Sequence, residues 1–256
     1  MMNENRLLLV GISILVFLVL GATPVYSHEP GLSVIIRRVQ YPPRIDGRLD
    51  DTAWKSASKI ELAWTDTDER TNRDIQTHVM AIYDEENLYV AFLSRDSHPE
   101  NLRSKVSEHD KGVTTDDCVA ISVEPGNTGQ GPMFNVTVNP ANVTRDGWIP
   151  PKALIEKRRK GEIPPELVPV AFAYPMGIDW EPKSLKTATQ VDKDFWTVEV
   201  KIPFEDLLLP RPLVGQTWGG NFMRHALGWG DLWMTWSKAG RGFFSASEKF
   251  GDLIFE

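Results

Sequence analysis

Asp116-Asp117 is the pair of carboxylates in this sequence that first invites a catalytic reading. Glycoside hydrolysis needs two carboxyls flanking one bond at a set separation. These two open the apolar run Cys118-Val119-Ala120-Ile121-Ser122-Val123, and adjacent strand residues point to opposite faces, so they would not face one substrate together. The expectation is strand-entry acids or calcium ligands. Asp46, Asp50, Asp51, Asp84, Glu85 and Glu86 also offer the hard oxygens calcium prefers. Their spacing matches no known calcium loop, so they read as turn and capping residues. The five histidines, His28, His78, His98, His109 and His225, form no i, i+4 metal pair. His28 would become the amino terminus if a leader were cut after Ser27, and an amino-terminal His can chelate copper with a second His. Cys118 is the single cysteine, so no internal disulfide is available, and inside an apolar run it reads as a small buried hydrophobe. No Gly-rich phosphate loop follows a strand, and no serine sits in a nucleophile elbow. Asn135-Val136-Thr137 and Asn142-Val143-Thr144 are glycosylation sequons, meaningful in a eukaryotic source.

The elements that must position these residues are strands. Trp196, Val198, Val200 and Ile202 alternate with Thr197, Glu199 and Lys201, which predicts a half-buried strand with its second row in water. Leu185–Val191 pairs with it as a hairpin across Asp192-Lys193-Asp194, and Pro203 stops the ladder. Further strands are expected at 33–39, 118–123, 133–139, 219–225, 233–237 and 250–255, and 77–92 reads as strand, acidic turn over Asp84-Glu85-Glu86, and strand. Asp50 is expected to cap a short helix that turns Trp54 toward the core. Pro150-Pro151 and Pro164-Pro165 bracket Ala153–Lys160, a two-turn helix ended by Gly161, whose basic run reads as a solvated face. Many short strands with Gly and Pro turns imply an all-β, antiparallel two-sheet β-sandwich.

The chain has 256 residues, 41% hydrophobic, enough for one large core, and a net charge of −7 that argues against nucleic acid as a partner. Residues 1–27 combine a polar start, an apolar run over Leu7–Leu20 and small residues before Ser27. They read as a secretory signal peptide, leaving a single domain over 28–256 with no membrane attachment after cleavage. The expected location is secreted, periplasmic or cell-surface.

The order and spacing of several segments resemble the family 9 carbohydrate-binding modules and their DOMON-like β-sandwich relatives. They are Ile45-Asp46-Gly47 with Leu49-Asp50-Asp51 and Trp54; Tyr83-Asp84 with Asn87–Val90; Asp116–Val119; Phe134 with Val138-Asn139; Trp196–Glu199 with Ile202-Pro203-Phe204; Asn221-Phe222 with Arg224; Trp236-Ser237; and Phe250-Gly251. The resemblance implies a jelly-roll-like sandwich with a Pro-rich, partly helical insertion at about 149–179, binding of a polysaccharide or oligosaccharide without catalysis, calcium ions on loops, and no organic cofactor. Sugar-binding members clamp a pyranose between two rings, because its axial C–H face is apolar and its rim is hydroxyl. The first ring position falls near Thr114, which is not aromatic, and the second near Phe243-Phe244. Trp148, or Trp64, is a candidate replacement from a neighbouring loop. The expected site is Thr114, Asp116, Trp148, Arg224, Phe243 and Phe244. A glycan-active hydrolase is the alternative. Because related domains bind haem through Met and His, Met223, Met234 and His225 make an electron-transfer domain the outside reading.

Overall fold

The alternating run forms strand β10 (Phe195–Pro203), paired along its length with β9 (Lys186–Val191) in the expected hairpin and with β5 (Asn87–Arg95) on its other edge. A computed structural model describes residues 31–64, 74–164, 180–207, 211–239 and 246–256. Residues 1–27, which the sequence indicates as a leader, residues 165–179 of the Pro-rich segment, and Phe243-Phe244 lie outside the described residues. Trp196, Val198, Val200 and Ile202 are at most 1% exposed and enter the main core. Each such burial contributes roughly 1.5–3 kcal/mol.

The second row of β10 departs from expectation, because Thr197 and Glu199 are buried as well. The segment from Ile45 to Trp54 lies across that face. Glu199 Oε2 accepts from the backbone N–H of Asp46 at 3.0 Å and of Gly47 at 2.8 Å, and Oε1 accepts from Trp54 Nε1 at 2.9 Å. Thr197 Oγ1 donates to Gly47 O at 2.6 Å. Gly47 has φ +86°, and a Cβ there would come within 2.8 Å of the Thr189 carbonyl carbon, so the close approach needs glycine. Trp54 sits in a 3-10 turn (Thr52–Ser56), packed with Ile45, Met80, Ile82, Tyr89 and Ala91. Asp50 does not cap that turn: Asp51 occupies the cap position, and its side chain accepts from Arg44 N instead.

The remaining strands are β1 (Ser33–Arg38), β2 (Ser58–Glu61), β3 (Ala63–Trp64), β4 (Thr77–Tyr83), β6 (Cys118–Glu124), β7 (Met133–Val138), β8 (Thr144–Ile149), β11 (Thr217–Ala226), β12 (Leu232–Thr235) and β13 (Gly251–Phe255). One sheet runs β8-β7-β6-β11-β13-β1, with β12 beside the end of β11 and β3 beside β12. The other runs β1-β4-β5-β10-β9, with β2 beside β4. The fold is thus the expected all-β sandwich with its core between the sheets. It is not wholly antiparallel: β1 pairs in parallel with β13 through Ser33–Ile36 and with β4 through Arg37-Arg38, so one strand passes from sheet to sheet. On the far side, Thr189 Oγ1 donates to Pro140 O and Asn142 Nδ2 to Thr187 O, tying the β7–β8 turn to β9.

The helix of the insertion is present as α1 (Lys152–Arg159), followed by Gly161 at φ +73°. Leu154 and Ile155 pack on Met133, Ile149 and Phe250, on the outer face of the first sheet, while Lys157, Arg159 and Lys160 face solvent.

Candidate functional site

At the end of the first sheet where β6 begins and β11 ends, Thr114 lies half-buried in a 3-10 turn (Val113–Thr115). The two acids that follow face loops. Asp116 Oδ2 accepts from Val106 N at 2.8 Å and Asn139 Nδ2 at 3.1 Å, and Asp117 Oδ2 accepts from Arg103 N at 2.8 Å and Gly228 N at 3.1 Å. Both are fully buried, and burial holds the Asp117 carboxyl above the usual range against those N–H donors. They are the strand-entry acids the sequence indicates, and they leave no carboxylate pair there for bond cleavage.

Arg224 faces the interior. Its Nη2 donates to Asp96 Oδ2 at 2.6 Å and its Nη1 to Arg95 O at 2.6 Å and Ile75 O at 3.1 Å, with no side-chain exposure. Burial draws the guanidinium below its ordinary range, and Asp96 opposes that. Asp96 also accepts from Trp229 Nε1 at 3.0 Å. Arg224 and Asp116 therefore brace the loops from beneath, with no polar atom offered at the surface. Breaking such a buried pair from one side costs about 3–5 kcal/mol.

Trp148 does not converge with Thr114. It lies inside β8 opposite Phe134, which pairs with Val123, four residues along β6 from Val119. It therefore sits at the other end of the sheet, half-buried against the main core. Phe243 and Phe244 lie outside the described residues.

A ring linked to Thr114 through His225 is Trp233. In the β11–β12 pairing His225 is opposite Trp233, and their rings stack at 4.1 Å between centroids, 19° between planes. His225 Nδ1 lies 3.2 Å from Thr114 O and Nε2 lies 2.7 Å from Asp231 Oδ1, while Trp233 Nε1 donates to that same oxygen at 3.0 Å. His225 is 4% exposed, Trp233 half-buried and Asp231 exposed, so the buried imidazole holds one face of a half-buried indole while the exposed Asp231 carboxylate holds its N–H. Below them Cys118, Ala120 and Met223 form a small apolar layer with Ala239. Burial pushes the Cys118 thiol up, out of the reactive range, as its structural reading requires. Both His225 nitrogens lie at oxygens, Met234 packs in the main core and Met223 in the small apolar layer. In the sequence Leu232 and Met234 flank Trp233, and three apolar residues in a row hide which one faces outward.

Four of the acids that offer oxygens to calcium have protein partners. Asp84 accepts from Glu86 N, Asn87 N and Tyr89 Oη, Asp46 from Arg48 N, Asp51 from Arg44 N, and Glu85 is paired with Arg38 and Arg211.

Residues 45–149 match the family model described as carbohydrate family 9 binding domain-like. A carbohydrate binding module family 9 from Caldicellulosiruptor kristjanssonii in complex with cellotriose has a similar structure, with TM-score 0.60, 13% identity, and 88% of this chain and 93% of that one covered. The same source's module in complex with glucose gives 0.57, 14%, 88% and 95%. A protein of Bacteroides uniformis, proposed to bind carbohydrate, gives 0.60, 15%, 88% and 99%. No curated protein sequence matches the chain. The similar structures show the sandwich fold, and the match over residues 45–149 accords with the order of motifs in the sequence. The matched stretch holds the Gly47 and Trp54 cover and the Asp116-Asp117 entry, while the Glu199 that the cover closes on, and Trp233, lie beyond it.

Proposed function

We propose that the chain is an exported, non-catalytic module that holds a saccharide against Trp233, with Thr114 and Asp231 at the rim. The observation that carries this is the indole at the first-sheet end, braced by His225 and Asp231, on a sandwich whose similar structures include complexes with cellotriose and glucose. A flat ring fixed at its N–H offers the apolar face of a pyranose a surface that needs little ordering on binding. Phe243 or Phe244 would supply the second ring, a reading supported by the family's pattern. Glucose-configured chains are the first candidates. Cellotriose titrated into the wild type should bind, and Trp233→Ala should weaken binding about fivefold to tenfold, given about 1 kcal/mol per stacked ring. Its melting temperature should stay near that of the wild type. Unchanged affinity in Trp233→Ala would move the platform elsewhere, and a glycan array with no bound saccharide would remove the function.

A further inference from the structure

The loop from Asp96 to Asp117 crosses the start of β8 and is fastened there: Asp110 N donates to Thr144 O at 3.0 Å, and Asp146 N donates to Asp110 Oδ1 at 3.2 Å. This brings three ligating atoms of different chemistry together. His109 Nε2 lies 3.2 Å from Asp110 Oδ2 and 3.5 Å from Asp146 Oδ2, and one ligand atom from each residue falls within 4.8 Å of the other two. No other such group of His, Cys, Asp and Glu occurs among the described residues.

The spacing has a physical meaning. Around an ion bound at about 2.1 Å, neighbouring ligand atoms are separated by about 3.0 Å in octahedral and about 3.4 Å in tetrahedral geometry. The two nitrogen-to-oxygen separations are of that size. The imidazole is also oriented for the task, with Nδ1 2.9 Å from Thr144 Oγ1, so that a proton on Nδ1 leaves the Nε2 lone pair aimed at the carboxylates. The side chain of Asp146 is 2% exposed, that of Asp110 23% and that of His109 51%, so the cluster has a closed floor and an open mouth. Sequence spacing hides it, since His109-Asp110 and Asp146 are joined only by the crossing of the loop over β8.

We propose that His109, Asp110 and Asp146 bind a first-row divalent cation of the zinc type, with solvent completing the shell, and that the ion clamps the Asp96–Asp117 loop to β8. One imidazole and two carboxylates suit such an ion, whereas calcium takes six to eight oxygens. None of its three ligands is among the residues proposed to touch the saccharide, and zinc uptake is read without saccharide, so failure of one reading is distinguishable from failure of the other.

The competing account is a plain ion pair between an imidazolium and two carboxylates. To separate them, the full, untagged chain is dialysed against chelator and titrated with zinc chloride in a calorimeter. One equivalent should bind and the melting temperature should rise with added zinc. His109→Ala, at a half-exposed side chain, should fold as the wild type and lose the uptake, while Asp146→Asn should lose it too if it folds. Excess calcium should not displace the zinc. No zinc uptake by the wild type, undiminished uptake by His109→Ala, or displacement by calcium would each overturn the assignment.

Discussion

Glu199 is a carboxylate drawn wholly inside the protein by its neighbours. Burial raises its pKa above the ordinary range, more than the Asp46, Trp54 and Gly47 donors lower it. A carboxyl with a higher pKa folded than unfolded binds its proton more tightly in the folded state. The stability it adds is full below the unfolded value, about 4.3, and is lost as pH rises through the folded one. The stability difference between wild type and Glu199→Gln, from urea titrations, should therefore shrink as pH rises from about 4 to about 6. A difference that grows over that interval would refute the sign. At this scale the sequence was only half legible. Pattern identified Glu199 as a strand residue but placed it in water, because nothing local shows that residues 45–54, some 150 positions away, cover it. Arg224 misled in the same manner: an Arg in a strand looks available for a ligand until the Asp96 side chain that neutralises it is seen.

The elements were easier to read than their surroundings. Period-two alternation gave the β9–β10 hairpin, and Gly161 with the flanking prolines gave α1, because both signals are local. The placement of Trp148 failed for a matter of register: it was read as a loop residue at the mouth of an insertion, yet β8 extends through Ile149 and turns the indole toward the core. The helix itself behaves as a cover on Met133, Ile149 and Phe250, near the Trp148 end and away from Trp233. Leu154→Ala should cost about 2–4 kcal/mol in chemical denaturation, since the side chain is 6% exposed. Saccharide affinity should be unaffected, and a loss of binding with retained fold would place α1 in the site.

For the whole molecule, the reading of an exported domain is testable without reference to ligands. Expressed in a host with a general secretory route, the protein recovered from the exported fraction should have the mass of residues 28–256, within a residue or two of Ser27 as the cut. Intact mass in that fraction would mean the apolar run is retained as an anchor. The sandwich class was legible because many weak motifs in one order constrain an architecture that none of them specifies alone. The parallel crossing of β1 was not, since strand pairing between residues 33 and 255 leaves no mark on either segment. That pairing also governs timing. Residues 33–36 of the first described strand pair with the last, Ser33 against Asp252 through Ile36 against Phe255. Until residue 255 has been synthesised, one edge of β1 and one edge of β11 are open, and the core lacks Leu253 and Phe255. Folding of the sandwich therefore waits on β13, at the slow end expected for long-range strand pairing. A chain shortened by these few residues would present both bare edges to other copies, the circumstance in which strands aggregate.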